Sequence, residues 1–551
     1  MINLVGVWGL VFGVLVGWGL LISWAWRSLA GPILAGTLTT FQTMWLGYAG
    51  LTASLELISL VLPIREVAAA LCIAPAIAGY IVQRRVVGRW LGRLRREPRS
   101  TITLAIVLVC TATIVAFSAS GPVQFYDTGL YHLQAVKWIE AHRAVVGLGN
   151  LHMRFGYNNS VHLFAAFTDV FWQGMAVHLA TSFLELAVIS QCFVEIFSAR
   201  TPRTRVRQIF CLIALPFFLG LLWTFDISSL STDLPLAALS FVIVLELISL
   251  PRKGLLPIAW LIAIAAVALT TKLGGAPAFV VVAVLALWNL RGVSGRVRVV
   301  VLALPALVLA GWVIRGIVTS GWLLYPVFGH LPVSWAVTPA RAADDLGNIQ
   351  SWGRMFGKTP EELSGHGAWF WFSPWLEKFQ VTREFVLMIV AAALAAWRAV
   401  HGGSSIVRRA GERAALAACG LTLVQWFVGA PQLRYGAYAF WLLAAALIAP
   451  QLAPAMRAAS TRSLVLIGSL AFINWGGGFA FRASTTSPLV WGRLPAPKHI
   501  ATTGTHTPGD EVEVPDSGDQ CFDAPLPCTP YPGTQTMRDP NDRGAGYAPS
   551  P

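Results

Sequence analysis

The sequence predicts an all-α polytopic membrane protein with about fourteen transmembrane helices, and three observations predict it. Of the 551 residues, 56% are hydrophobic and only 12% are charged, with a mean hydropathy of +0.64. A soluble domain carries about 25% charged residues, so the charge that would solvate a globule of this length is missing. The apolar residues also fall in runs of about 15 to 25, the length that crosses a hydrocarbon core of about 30 Å. The basic residues, finally, lie between those runs. The net charge of +14, from 40 basic and 26 acidic residues, is therefore that of basic loops under the positive-inside rule. Those residues are not gathered on a soluble domain or interleaved with stacking aromatics, so the expected partner is membrane lipid and not nucleic acid.

Spans are expected near 2–26, 41–62, 65–83, 101–119, 175–197, 209–225, 234–250, 255–271, 276–290, 299–319, 384–397, 412–429, 436–450 and 463–479. The N-terminal run has no basic region ahead of it and no small-residue cleavage site, so it reads as a retained span; Arg27 behind it favours an N-out orientation. Basic clusters then mark every second loop: Arg84 to Arg99, Arg200 to Arg207, Arg252 with Lys253, Arg291 to Arg298, Arg398 to Arg413, and Arg457 with Arg462. Those loops should be cytoplasmic, which puts 120–174, 226–233, 272–275, 320–383 and 430–435 on the opposite face, together with both termini.

The chain divides into an N-terminal three-helix membrane addition with its basic loop (1–100), a membrane core (101–480) and a tail (481–551) rich in Pro, Gly and acidic residues. That composition predicts a loosely folded or partly disordered appendage. Cys521 and Cys528 in the tail are spaced to close a short disulfide loop, whereas the other cysteines lie in or beside apolar runs as packing residues.

The candidate chemistry concentrates in 121–160. Asp127 stands just before a stripe of Leu130, Leu133, Val136 and Ile139 at helical spacing, which suits a helix lying along the membrane surface. Asp127 then has two readings, a cap on that helix or a general base taking a proton from a hydroxyl. Tyr131, His132, Asn150, His152 and Asn158 follow, a density of hydrogen-bonding groups suited to hydroxyls and phosphates. For either histidine alone an ordinary surface role competes.

Other candidates lie further along. Asp226 and Asp233 flank a serine-rich loop, where they can assist catalysis, hold a metal or cap helix ends. Two isolated carboxylates do not make a metal site; no cofactor is assigned, and a divalent cation stays open. Lys272 is a cation at a mouth where the positive-inside rule disfavours one, and it needs a partner: a lipid-linked phosphate, Asp226 or Asp233, or the interface itself by snorkelling. The same reasoning applies to Arg315 and Arg434, since arginine binds phosphate bidentately. The loop 320–383 adds Asp344, Asp345, His366 and the aromatic run Trp369 to Trp375, which suits sugar stacking or an interfacial belt.

The segments DTGLYHLQAVKW (127–138), GLGNLH (147–152) and NNS (158–160) resemble the signature of a family of bacterial polytopic membrane proteins. More broadly, the arrangement is similar to the GT-C superfamily of integral membrane glycosyltransferases. In that superfamily a first large external loop carries an acidic residue just after a span and then runs into surface helices. The resemblance implies a GT-C-like core in a bacterial cytoplasmic membrane. It also implies transfer of a sugar from a polyprenyl-phosphate donor to an extracytoplasmic glycan or lipid acceptor, with Asp127 as the catalytic carboxylate. Arg434 loosely resembles a late external arginine that contacts donor phosphate. A transporter or flippase for an anionic lipid or polysaccharide, or an envelope assembly protein, is the competing expectation.

Overall fold

The computed structural model describes every residue except 1, 35, 97, 198–200, 252–253, 402–409, 456–493, 534 and 551. The expected span 463–479 lies outside the described residues, as do Arg200, Arg252, Lys253, Arg457, Arg462 and part of the basic stretch 398–413.

The chain is mostly helical. The first helices are α1 (Ile2–Ala30), α2 (Thr40–Ile58), α3 (Glu66–Val82), α4 (Arg84–Arg96) and α5 (Pro98–Ala119). They are followed by α6 (Leu133–Ala141), α7 (Ser160–Asp169), α8 (Ala176–Phe197), α9 (Pro202–Leu221), α10 (Asp233–Ile248), α11 (Leu256–Thr271), α12 (Ala276–Asn289) and α13 (Gly295–Ser320). The last are α14 (Pro339–Arg354), α15 (Pro360–Leu363), α16 (Phe372–Phe379), α17 (Arg383–His401), α18 (Ala410–Gly429) and α19 (Leu433–Ala455).

Among the described residues six helical segments are long and apolar enough to cross a membrane: Ile2–Leu34, Ile102–Ala119, Ala176–Phe197, Arg203–Leu221, Gly295–Ser320 and Leu433–Ala453. The number rises to eight if each of two bent pairs is one span, the first turning by 73° between α3 and α4 and the second by 89° between α16 and α17. Several long apolar helices of this kind mark a membrane protein. The arginine-rich stretch after α3 is thus itself helical.

Local chemistry sets the ends. Thr39 opens α2 with a reciprocal cap, its hydroxyl accepting from the Gln42 N–H at 3.2 Å while the Gln42 side chain accepts from the Thr39 N–H at 3.0 Å. Thr201 and Thr204 repeat the device at α9, with Pro202 in the first turn, where its missing N–H costs nothing. Gly321 (φ +74°) closes α13 in the left-handed conformation.

Glycine also decides how the first three helices pack. A Cβ at Gly47 of α2 would fall on the Leu15 carbonyl of α1, and one at Gly19 would fall on the Thr43 carbonyl of α2. On the other side of α1, a Cβ at Gly79 of α3 would fall on the Gly17 carbonyl. Helix α1 is thereby clamped between α2 and α3 at backbone contact, the small-residue packing that dispersion favours where lipid supplies no hydrophobic drive.

The described part of the tail is not loose. Among the described residues of 494–550 there are two antiparallel strand pairs, β1 (Thr502–Thr507) with β2 (Asp510–Pro515) and β3 (Gln535–Met537) with β4 (Tyr547–Pro549), and the Cys521–Cys528 disulfide is formed. The segment has its own strand pairs and disulfide and is also docked on 121–160. Phe522 donates its N–H to the Gly129 carbonyl (2.9 Å), and Gln134 donates to the Phe522 and Ala524 carbonyls (3.1 and 2.9 Å). Lys137 pairs with Asp523, and Tyr547 sets its ring edge-on to Trp138.

Gly129 is the close point of that seam, since a Cβ there would lie 2.6 Å from the Phe522 ring. Gly129→Val should therefore lift the tail: limited proteolysis within 494–550 is expected to run at least tenfold faster than in the parent, and an unchanged cleavage rate would refute the seam.

Candidate functional site

The chain enters 121–160 from α5, and Phe125 accepts the first backbone bonds of a turn at Thr128 and Gly129. The turn from Thr128 to His132 is π-helical, with the Leu133 N–H bonded back to the Thr128 carbonyl, before α6 continues it. Such wide turns recur at functional sites because they re-aim side chains. The hydroxyl of Thr128 accepts from the Leu230 N–H (3.1 Å), tying this segment to the 226–232 loop.

Two expectations for this segment are corrected. The Asp127 side chain caps no helix. The stripe does not lie on a membrane surface either: Leu133, Val136 and Ile139 are buried in the main helical core, and Leu130 is buried against Trp138 and Leu151 in a second cluster. The helical spacing is right, but its apolar face is covered by protein.

Asp127 instead bridges two guanidiniums. Its Oδ1 lies 3.2 Å from Arg154 Nη1 and its Oδ2 lies 2.7 Å from Arg434 Nη2, at the start of α19. The carboxylate is 11% exposed and Arg434 33%, so the triad stands at the protein surface with one arginine open. Arg434 also donates to the Tyr435 hydroxyl (2.7 Å). Lys272 lies over the Tyr435 ring at 4.2 Å and pairs with Asp233 in the first turn of α10. Of the two carboxylates expected for Lys272, Asp233 is the one paired with it. Asp226 accepts from the Ser231 hydroxyl (3.0 Å) and is pushed up to about 6 by burial and by the Asp233 charge.

The Arg154 side of the triad runs inward. Arg154 Nε lies 3.9 Å from buried Asp345 of α14, and burial raises the Asp345 carboxyl above its usual range. Asp345 thus joins the site, although sequence reasoning left it as one acid in a long loop; an acid on a soluble-looking helix gave no signal. Arg154 was legible by the argument used for Lys272, a cation on the face where cations are scarce.

Not every expected residue faces this site. Arg315 of α13 donates to the Asn158 side-chain oxygen. Asn158, held at φ +54°, donates to the Trp312 carbonyl (2.6 Å). The two close a buried internal contact. Asn150 donates to the Gly147 and Trp335 carbonyls and is likewise structural. A cavity of about 30 Å³, room for little more than one water, separates Arg154 from Arg315.

The histidines are buried, against the surface reading. His132 lies in an aromatic nest, its ring centroid 4.3 Å from Tyr131, 5.0 Å from His162 and 6.1 Å from Phe125. His152 accepts the Arg154 N–H at Nδ1 (3.2 Å) and has Tyr531 of the tail on one face. Burial lowers all three imidazoles: His132 falls well below its ordinary value, His152 to about 3 and His162 to about 4.

Each histidine therefore stabilises the fold as the neutral base. That stability is complete above pH 6.5 and is lost as pH falls toward 4, at about 1.4 kcal/mol per pH unit per group. Asp226 acts in the opposite sense, since its raised carboxyl favours the fold in acid. Hydrogen exchange across 148–163 should consequently accelerate on going from pH 7 to pH 4.5 after correction for intrinsic rates, and His152→Gln should blunt the change; equal protection at both values would refute it.

Beside the triad a groove of about 390 Å³ runs between the end of α14, α16 and the turn into α19. Trp352, Phe356 and Trp375 line it with Arg354, Lys358 and Lys378. Trp352 stacks on Tyr126, the neighbour of Asp127, at 6.4 Å, and Leu433 precedes Arg434, so groove and triad adjoin. Aromatic faces together with cations can bind an apolar ring face and a phosphate at once.

A family model described as a domain of unknown function, DUF8201, matches residues 1–441. The chain belongs to this family. The DUF8201 match takes in α1 to α3, the triad and the groove, and ends before the tail begins. Nothing matches among curated proteins or among solved structures.

Proposed function

We propose that this DUF8201 protein is an integral membrane glycosyltransferase of GT-C type. In this reading about fourteen spans place the triad on the extracytoplasmic face of a bacterial cytoplasmic membrane. A sugar passes there from a polyprenyl-phosphate donor to a glycan or lipid acceptor.

The observation that supports the reading is the Asp127 carboxylate held between Arg154 and Arg434 at the mouth of an aromatic and cationic groove. Both arginines are spoken for by Asp127 until an anion competes for them. A donor phosphate engaging Arg434 frees the carboxylate beside it. The acceptor oxygen then attacks the anomeric carbon and the bond from that carbon to the phosphate oxygen breaks. The acceptor proton passes to Asp127, and the polyprenyl phosphate leaves with its charge against Arg434 and Lys272. Asp233 holds Lys272, and Tyr435 fixes the fork of Arg434.

The test is a panel of radiolabelled polyprenyl-phosphate hexoses offered to the protein in vesicles containing envelope glycan. Release of polyprenyl phosphate should fall at least a hundredfold in Arg434→Met and recover in part in Arg434→Lys, which restores the charge without the fork. Turnover independent of residue 434 would refute the assignment.

One observation favours the transporter reading. Glu56 in α2 and Glu185 in α8 are fully buried in apolar helices, and intramembrane carboxylates mark ion and substrate paths. That reading predicts lipid translocation lost in Glu185→Gln with no sugar transfer in the parent.

A further inference from the structure

The largest cavity among those described lies away from the triad, toward the arginine-rich side of the bundle. It holds about 1130 Å³ between α1, α5 and α8 and extends to the α1–α2 connection, α4 and the start of α9. Its walls are lipid-like. Leu104, Leu108 and Ala112 face it from α5 at helical spacing, Phe12 faces it from α1, and Phe183 and Leu186 face it from α8. Ile102, Ile106 and Val109 of α5 are exposed, as they would be to acyl chains.

The far end of the wedge is cationic. Arg27, at the end of α1, and Arg89, on α4, both line it. Two carboxylates lie nearby, but Arg207 holds them: its Nη2 is 2.6 Å from Glu195 and 2.8 Å from Glu246. Arg27 donates to the Ser23 carbonyl (3.1 Å), and among the described residues no carboxylate lies within ion-pair reach of it. Helix α4 carries Arg84, Arg85 and Arg89 with Val86, Val87 and Trp90, and turns by 73° from α3, the disposition of a basic amphipathic helix at a membrane interface. Between Trp8 and Arg27 the wedge is about 28 Å long at 1.5 Å per residue, close to one hydrocarbon core.

The geometry points to a binding site for an anionic membrane phospholipid: its headgroup phosphate between Arg27 and Arg89, and one acyl chain in the α1–α5–α8 wedge. An anion gives both guanidiniums a bidentate partner. An apolar chain matches the apolar walls of the wedge, and a zwitterionic lipid brings less net charge to the same place. The site is independent of the glycosyltransferase reading and of its residues.

The test uses the full chain in phosphatidylcholine nanodiscs doped with a trace of phosphatidylglycerol or phosphatidylcholine carrying a photoreactive diazirine in one acyl chain. The phosphatidylglycerol probe should label 104–112 and 183–187 at least fivefold more than the phosphatidylcholine probe. The double variant Arg27→Gln with Arg89→Gln should lose that excess, and the double lysine variant should keep most of it. Leu108→Trp, which fills the wedge and leaves the charges alone, should reduce labelling as well, so a misfolded glutamine variant does not decide the matter. Equal labelling by the two probes overturns the proposal, as does excess labelling that survives the glutamine variant. Labelling displaced by millimolar inorganic phosphate overturns it too, since it would mark a free-anion site.

Discussion

Asp127→Asn should abolish sugar transfer, with kcat falling by about 100- to 10,000-fold, the range that a positioned general base contributes. Loss of rate alone would not separate a base from an anchor, and the triad supplies the second readout. Asparagine keeps the size of aspartate but gives up the charge that occupies Arg154 and Arg434. Both guanidiniums then become available to a phosphate, so a non-transferable polyprenyl-phosphate sugar analogue should bind the variant more tightly than the parent. The combination of slower turnover and tighter donor binding is what a carboxylate competing with substrate for its arginines requires. A merely structural aspartate would weaken both. If Asp127→Asn leaves the glycan product profile unchanged, Asp127 is not the base.

The second large effect is on folding. Gly47→Val should leave almost no correctly folded protein, because the valine Cβ would coincide with the Leu15 carbonyl of α1 and backbone cannot step aside as a flexible side chain can. Overpacking against side chains costs about 1–3 kcal/mol, and a clash with a backbone carbonyl costs more, a large share of the about 5–15 kcal/mol that holds a domain together. By contrast Gly6 and Gly9, on the same α1, have no atom within 4 Å of a Cβ, and Gly9→Ala should be tolerated. Monodispersity on size exclusion and melting temperature in detergent measure both; a Gly47→Val protein as stable as Gly9→Ala would remove the backbone-contact argument.

What could be read from the sequence follows from where each signal resides. Apolar run lengths and the basic clusters gave helical segments that the structure contains, among them α1, α5, α8 and α13, because that information is local. Lys272 was legible by its misplacement, and its partner Asp233 was among those expected, since the two carboxylates of the neighbouring short loop were the nearest candidates. Arg315 is a cation misplaced in the same way, yet it bonds to Asn158. The partners of a misplaced charge are set by packing of helices far apart in sequence, which periodicity does not encode.

Asp127 was recognisable as unusual, but its two arginines stand 27 and 307 residues away in the chain, and neither distance leaves a trace in the local pattern. The tail shows the converse. Its composition is that of a disordered segment, yet its described part has its own strand pairs and disulfide and is also docked on 121–160; composition reports only what a segment can bury by itself.

The seam between the tail and 121–160 carries a consequence for how the protein is made. Gln134 takes its partner from Ala524, 390 residues later. At about 5–20 residues per second, translation places the two about 20 to 80 s apart. Throughout that interval the nascent chain carries Tyr126, Gln134 and Lys137 without the groups they finally bind, and Trp138 waits for Tyr547. Maturation of this segment is thus clocked by the ribosome: a chain stalled or cut before residue 520 is one whose triad neighbourhood has not been completed, and its exposed seam is what a quality-control protease would meet first.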